Sequence, residues 1–411
     1  MAKVVIDEVR CGMTLAGDVL GKNGRKLLGA GTVLESGHLR VLRIWGVSAV
    51  DVAGGEAAEA ASGDAGDAVC GDGDSEALAA ARELAALRFA LADRSHPAVD
   101  ALYRCCLRDL VKEDRCPLPP PFPAVSKTSA LPEAPDSPEA LVAGDPSLAS
   151  FPDIYFRLQE AIADPRASAG RIAGIIGNDP SLSATLLRLA NSPLYGLSRP
   201  IDSLARGVML IGAGELAQLA LGVAVADRFR DIPSCCLTMR QIWEHAVGCG
   251  VLARVLAAHV GGVSQERLFV AGLLHDLGRL VLLRRLPVHM ARAMAMAREA
   301  RVPVGAAERE LLGFDHAAVG RVLLAQWRLP QELADAVGGH HEQGAMALDA
   351  CIVHVADMAA VAVGYGSNGS PIAPPLCAAA WDALGLEPSV LPVALSQAGR
   401  QVDDIVSGLI G

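Results

Sequence analysis

The sequence has few aromatic residues, only 4% of its 411 positions, although 52% of its residues are hydrophobic. Alanine, leucine and valine must therefore fill most of the core. Because alanine and leucine favour helices, such a core suits closely packed helices. The length allows two or three domains. Composition alone thus predicts a mainly helical protein.

The chain also lacks the patterns of secreted and membrane proteins. Its ten cysteines form no regular framework and no Cys-x-x-Cys motif. The first residues lack the apolar run of a signal peptide, and no uncharged apolar stretch reaches the ~20 residues that span a bilayer. We therefore expect a cytoplasmic protein with reduced thiols and no membrane segment.

Basic runs are absent as well. The formal net charge is −10, and lysine and arginine nowhere form a long cluster. An acidic chain is repelled by phosphate backbones and by anionic membrane surfaces. The sequence therefore argues against direct binding of nucleic acid.

An unusual feature is the adjacent pair His275-Asp276, which lies within the apolar stretch Gly272–Leu280. Burying a carboxylate costs several kcal/mol unless the group is paired or binds a metal. Other parts of the chain offer partners for it. They are His245, His316, His340, His341 and Asp357.

Imidazole and carboxylate groups are common ligands of divalent metals such as Fe, Mn and Zn, and carboxylates also suit Mg. We predict that the seven side chains converge in one pocket between helices. Two alternatives stay open: a bound divalent metal, or a vestigial cluster whose members hydrogen-bond to one another. A single histidine on an apolar face is most often a core residue, but seven such positions are harder to explain in that way. We predict no other cofactor.

A second motif precedes this series. Asp179-Pro180 is typical of a helix start, with Asp as N-cap and Pro at the first helical position. The segment Asn178–Ser192, its continuation to Leu204 and the turn at Val208–Gly212 resemble the signature of the HDOD domain, the HD-related output domain of bacterial signalling proteins. The resemblance covers about residues 151–360.

This resemblance implies roles for the histidines and aspartates. The order H…HD…H…HH…D is similar to that of the HD superfamily of metal-dependent phosphohydrolases. His245 matches the first His, and the HD pair, third His, His pair and final Asp follow in that order. The implied metal ligands are His245, His275, Asp276, His316, His340, His341 and Asp357.

Two departures from hydrolytic relatives stand in the sequence. Arg279 replaces a lysine that is common in catalytic relatives, and Arg and Lys are not interchangeable at such a site. After His340-His341 there is no Gly-Tyr-Pro segment of the kind found in the HD-GYP branch. Whether the chain is an enzyme thus stays open, and the departures favour a non-catalytic protein. The catalytic candidates would be His275, Asp276 and Arg279.

The resemblance to the HDOD branch implies a bacterial signal-transduction protein with a regulatory output domain that binds a ligand or partner. The alternative is a divalent-metal-dependent phosphohydrolase or phosphodiesterase. The expected partner is a protein of a signalling pathway, or a small nucleotide or phosphate ligand. Residues 179–204 are a candidate surface for it, and plain helix packing is the alternative for this region.

The resemblance implies a multi-helix HDOD bundle, and the sequence pattern before it predicts a small α+β module rich in β-strands. Asn23-Gly24 is a hairpin turn signal, and a short helix is expected over Glu35–Trp45. The start also resembles the module that precedes some HD-GYP and HDOD domains, through "CGM-x-LAGDVL". The predicted parts are a β-rich module (1–52), a flexible linker (53–74), helices packing on the module (75–113), a Pro-rich linker (114–147), the HDOD domain (148–370) and a helical extension (371–411).

Overall fold

A computed structural model gives the fold of the chain. It describes residues 2–5, 13–17, 19–20, 26–29, 31–34, 49–53, 75–111, 131–149, 151, 153–192, 195, 199–229, 232, 237–342, 344 and 346–410. The chain divides into two compact units, Met1–Cys70 and Gly71–Gly411.

The described part of the first unit consists of short strands. Strand β5 lies between β1 and β2 in an antiparallel sheet, and β3 pairs with β4. The strands are β1 (Ala2–Val5), β2 (Thr14–Leu15), β3 (Val19–Leu20), β4 (Lys26–Leu28) and β5 (Ala49–Ala53). The helix predicted over Glu35–Trp45 lies outside the described residues. The β-rich module therefore stays a prediction.

The second unit is helical, which confirms the mainly α fold class. Its helices are α1 (Ser75–Arg88), α2 (Pro97–Val111), α3 (Pro138–Ala143), α4 (Asp153–Ala163), α5 (Ala169–Gly177), α6 (Pro180–Ala190), α7 (Leu204–Ile211), α8 (Ala213–Arg228), α9 (Met239–Val260), α10 (Gln265–Leu274), α11 (Leu277–Arg285), α12 (Pro287–Ala300), α13 (Val304–Leu312), α14 (His316–Gln326), α15 (Gln331–Gly339), α16 (Leu348–Val363), α17 (Ala378–Leu384) and α18 (Val390–Ile410). Among the described residues no single helix is long and apolar enough to cross a bilayer. Helices α7 and α8 together have that length and composition, but the chain bends by 119° between them.

Helices α9, α10 and α16 form the centre of this unit. They are buried along most of their length, which is typical of helices that are hydrophobic on all sides. Helix α9 packs against α10, α16 and α18. His245 lies on α9 and Asp357 on α16, and His275 directly follows the last residue of α10. The packing of the three helices therefore brings the predicted site residues to the centre of the fold.

Helices α1 and α2 belong to this helical core. Phe89, Val99 and Leu102 are buried in it, and α2 packs on α16 and α18. The Arg88 guanidinium donates to the carbonyl of Ala362 at 3.1 Å. The predicted packing of residues 75–113 on the N-terminal module stays a prediction; within the helical unit, the described part of this segment covers α16 and α18.

The second half of the predicted Pro-rich linker is also folded. Helix α3 has Ser137 as its N-cap, and both Leu141 and Val142 are buried. A 3-10 turn follows at Pro146–Leu148, and the indole N–H of Trp327 donates to the carbonyl of Leu148 at 2.8 Å. The last ten residues of the predicted Pro-rich linker (114–147) thus lie on the helical unit, because Leu141 and Val142 are buried there.

This docking determines the expected result of limited proteolysis. The main chain of residues 138–148 is held in helix α3 and the 3-10 turn, and the Leu148 carbonyl accepts from Trp327. Cleavage needs local opening of the chain, so we expect cuts before Pro138 and none within 138–148. Mass spectrometry of the stable fragment measures its first residue. A fragment that begins near Ser147 would contradict the docking.

The HDOD-like signature has a local structural role. Asp179 accepts from the amide of Leu182 at 3.0 Å, which confirms it as an N-cap. The amide group of Asn191 accepts from the Ile201 N–H at 2.6 Å and donates to the Ile201 carbonyl at 2.9 Å, so it holds both ends of the intervening loop together. Tyr195 donates to Glu215 at 2.6 Å. These contacts favour packing as the role of the motif residues themselves.

Candidate metal centre

The structure brings all seven predicted side chains together. His245 lies on α9, His275 ends α10, Asp276 precedes α11, His316 begins α14, His340 ends α15, His341 follows it, and Asp357 lies on α16. Their ligand atoms form three overlapping groups, each with all atoms within 4.8 Å of one another. Six of the seven residues are buried, and His341 is half-buried. Their role as metal ligands stays a prediction.

The first group consists of His245, His275 and Asp357. Nε2 of His245 lies 3.2 Å from Nε2 of His275 and 3.1 Å from Oδ1 of Asp357. Nε2 of His275 lies 3.7 Å from the same oxygen. An ion with bonds of ~2.0–2.2 Å separates its ligand atoms by about 3 Å or slightly more. The spacing of the three atoms therefore suits one shared ion.

The second group consists of His316, His340 and His341. Nε2 of His316 lies 3.0 Å from Nε2 of His341 and 3.1 Å from Oδ1 of Asp276. The other oxygen of Asp276 faces the first group, at 3.6 Å from Nε2 of His275. Asp276 forms the third group with His275 and His340, so its carboxylate lies between the first two groups, with one oxygen toward each.

Two histidines are oriented by the same local device. The ring of His275 contacts the Gly272 carbonyl through Nδ1 at 2.6 Å, and the ring of His340 contacts the Val337 carbonyl in the same way at 2.6 Å. A carbonyl only accepts, so Nδ1 carries the proton in both rings. Helix ends leave such carbonyls unsatisfied. In both residues Nε2 is therefore left as a lone-pair donor that faces the centre.

Glu308 is a site residue that sequence reasoning missed. It is fully buried on α13, and its Oε2 lies 2.5 Å from Nδ1 of His316. A carboxylate behind a histidine fixes the ring and raises its basicity as a ligand. The run Glu308-Arg-Glu310 looks like a solvated face, but Glu308 stands one turn after Val304 on the apolar side of the helix. Its spacing from Val304 was the sequence feature that could have predicted the burial of Glu308.

Arg279 uses its planar fork inside the cluster. One terminal nitrogen bonds to Asp276, the other lies 2.9 Å from Nδ1 of His316, and Nε donates to Glu308 at 3.4 Å. A lysine ammonium, as a point charge, could not make these contacts from one position. Arg279 thus fixes Asp276 and Glu308 around the His316 ring.

The cluster carries an excess of negative charge. Three carboxylates, those of Asp276, Glu308 and Asp357, face the single guanidinium of Arg279, which leaves two negative charges when the histidines are neutral. A divalent cation or two imidazolium groups would balance them. Metal binding is therefore expected to release protons.

The local electrostatics follow from these groups. Burial and the Arg279 charge lower the pKa of His316. The Glu308 and Asp276 carboxylates outweigh both effects and raise that pKa to about 9. Burial, together with the neighbouring imidazoles, lowers the pKa of His340 to about 3. Burial opposes ionisation of Asp276, yet the Arg279 charge holds its pKa well below the usual range.

Several buried polar atoms of the cluster form no hydrogen bond of good geometry among the described residues, although Oδ1 of Asp357 and Oδ1 of Asp276 each lie 3.1 Å from a ring nitrogen of the cluster. They are both carboxylate oxygens of Asp357, Oδ1 of Asp276, Nε2 of His340 and Nδ1 of His245. Leaving such an atom unsatisfied costs ~1–3 kcal/mol, and more for a charged group. The orphaned atoms all belong to predicted ligands, and nitrogen and oxygen donors suit Fe, Mn or Zn. The residues therefore fit a divalent metal.

The cluster is covered on one side by the loop between α16 and α17. Ser367 and Asn368 of this loop line two small cavities that both reach His245. The Ser367 amide donates to the carbonyl of Gln241 at 3.0 Å, which ties the loop to α9. Ser367 and Asn368 of this loop therefore lie beside His245, at one side of the centre.

Comparison with known proteins identifies a domain within the helical unit. The HDOD domain family model matches residues 148–343. An uncharacterised protein of Treponema pallidum (strain Nichols) is 26% identical over 192 residues, which are 46% of this chain and 37% of that protein. The chain thus matches well under half the length of this curated relative.

Solved structures share the fold. An HDOD domain protein of Geobacter sulfurreducens has a TM-score of 0.55 at 24% identity, over 66% of this chain and 96% of that chain. A candidate phosphohydrolase of Shewanella amazonensis SB2B has a TM-score of 0.52 at 20% identity, over 66% and 97%. A candidate signal-transduction protein of Marinobacter aquaeolei VT8 has a TM-score of 0.51 at 21% identity, over 80% and 69%. At these identities the likeness shows the fold alone.

Proposed function

Because residues 148–343 are an HDOD domain, we propose that the protein is a bacterial signal-transduction regulator whose helical domain binds a partner or ligand around a buried divalent-metal centre. The observation that carries this proposal is the deep burial of most of the centre. His275, His316 and Asp357 are at most 1% exposed. Burial of this kind suits a metal that stabilises or reports a conformational state.

Arg279 supports the same proposal. It occupies the space beside Asp276 with a permanently charged group that binds Asp276 and Glu308 at once. A carboxylate held in this way is fixed in place and partly neutralised. This arrangement favours a rigid site over one that exchanges substrate and product.

The alternative is a metal-dependent phosphohydrolase. The specific observation in its favour is Asp276, whose two oxygens face the two ligand groups. Bound divalent ions would polarise a phosphoryl oxygen and lower the pKa of a water. In that function Asp276 would hold the ions, Glu308 would orient His316, and movement of the 364–371 loop would admit the substrate.

Elemental analysis of the purified protein, followed by a screen with phosphate esters and cyclic nucleotides, tests both functions. The regulatory function predicts Fe, Mn or Zn near stoichiometric amounts and no turnover. Turnover of any of these compounds that is lost in Asp276→Ala would favour the hydrolase. If protein prepared without chelators contained no metal, and still bound none after incubation with each ion, the assignment of a metal centre would be wrong.

For cyclic di-GMP we expect no useful hydrolysis. The Gly-Tyr-Pro segment is missing after His341, and the described centre is covered by Ser367 and Asn368. Metal-loaded protein should therefore leave the dinucleotide intact in a chromatographic assay. Robust turnover by wild type but not by Asp276→Ala would contradict this.

A further inference from the structure

His354 is buried beside the centre but belongs to none of the three ligand groups. It lies on α16, three residues before Asp357, so both side chains project from neighbouring positions of one helix. Nδ1 of His354 lies 2.9 Å from the carbonyl of His340. The carbonyl only accepts, so Nδ1 must donate and His354 holds the main chain of a predicted ligand.

The other ring nitrogen of His354 faces away from the centre. With the proton on Nδ1, Nε2 is an acceptor, and it accepts from the backbone N–H of Cys377 at 3.0 Å. Cys377 is the N-cap residue of α17. One neutral ring therefore joins the carbonyl of His340 to the start of the C-terminal helices.

The segment before α17 is buried between two parts of the helical unit. Ile372 and Ala373 are at most 2% exposed, and the Ala373 amide donates to the carbonyl of Arg88 on α1 at 2.8 Å. The hydrogen bond from the Cys377 amide to His354 holds the C-terminal end of this segment. The position of segment 372–377 is thus fixed partly by a ring that also fixes a ligand.

We propose that His354 is a positioning residue that couples metal binding to the docking of residues 372–384. The coupling rests on the proposed metal centre and assigns it an output. A metal bound to His340 and Asp357 would fix the position of His354, because His354 bonds to the His340 carbonyl and shares α16 with Asp357. A fixed His354 can accept from the Cys377 amide, so metal binding favours the docked segment. By thermodynamic linkage the docked segment favours the metal by the same factor.

Cys377 offers a sharp test because its φ is −75°, an angle that proline adopts without strain. Cys377→Pro removes the backbone N–H from which Nε2 of His354 accepts its hydrogen bond. Cys377→Ala removes the thiol and keeps the N–H, so it is the matched control. The full-length proteins are titrated with Mn²⁺ and, separately, with Zn²⁺ in competition with a chelator.

We expect Cys377→Pro to weaken metal binding by about fivefold or more, in the range of typical coupling energies, and Cys377→Ala to leave it unchanged. Equal affinities of the two variants, with wild type binding metal, would overturn the coupling and leave the metal centre standing. A wild type that binds neither ion would overturn both. A role in folding alone would lower the melting temperature of the apo variant without changing its affinity for metal.

A measurement on wild type does not depend on the folding of any variant. Hydrogen exchange of peptides from 372–384 is compared with and without Mn²⁺ or Zn²⁺. The coupling predicts slower exchange in the metal-bound protein, while peptides from α4, remote from the cluster in sequence, serve as an internal reference. Unchanged exchange in 372–384 at saturating metal would contradict the coupling.

Discussion

Replacement of Gly278 by alanine should lower the stability of the protein by at least about 3 kcal/mol, a severe case of overpacking. An added Cβ would lie 2.0 Å from the His316 carbonyl oxygen and 2.6 Å from the Gly320 amide nitrogen. Both are backbone atoms, which no side-chain rotation can move. Helices α11 and α14 would have to separate.

This close approach explains the glycine that follows the His-Asp pair. Helix α11 begins directly after Asp276, and α14 begins at His316. Their contact at Gly278 brings Oδ1 of Asp276 to 3.1 Å from Nε2 of His316. A change at Gly278 should therefore disturb the centre as well as the core.

Gly174→Ala is the matched control for this substitution. Gly174 also lies within a helix, α5, but apart from the adjacent backbone of that helix nothing would lie within 4 Å of its added Cβ. Alanine is favoured over glycine inside a helix by ~1 kcal/mol, so this variant should be unchanged or slightly more stable. Calorimetric melting of both variants measures the difference. Similar melting temperatures would show that α11 and α14 can part at little cost.

How far the sequence predicts this protein depends on the kind of feature. The convergence of the seven side chains could be predicted, because their order resembles that of the HD superfamily and a buried His-Asp pair needs partners; their role as ligands stays a prediction. The tautomers of His275 and His340 could not, because they depend on where two helices end. Glu308 escaped notice because its neighbours Arg309 and Glu310 are charged and its burial is set by tertiary packing.

The organisation around the HDOD domain was harder to predict for a related reason. Residues 75–111 have an apolar periodicity that indicates helices but does not say which surface they cover. The proline content of residues 114–147 indicates an extended segment, yet Leu141 and Val142 are enough to dock its end. The position of such a short segment is determined by the surface on which its few apolar side chains pack, and the local sequence does not specify that surface.

The metal content of variants at the centre should differ according to which ligand group they affect. Asp276 faces both groups, so Asp276→Asn, which removes the charge and keeps the shape, should lose most of the metal. His341→Gln affects the second group alone, and Asp357→Asn the first alone. If both groups hold an ion, each of these two variants should keep about half of the wild-type content.

Elemental analysis measures the content, and melting with and without a chelator gives an independent readout. A ligand bound only to the folded state stabilises it, by ~4 kcal/mol at a thousandfold excess over its Kd. Chelation should therefore lower the melting temperature of wild type and change that of Asp276→Asn much less. His259→Gln, a histidine that belongs to none of the three ligand groups, is the control and should respond as wild type does. An Asp276→Asn variant with full metal content would show that the ion is bound without the carboxylate that lies between the two groups, and the assignment of the centre would then be wrong.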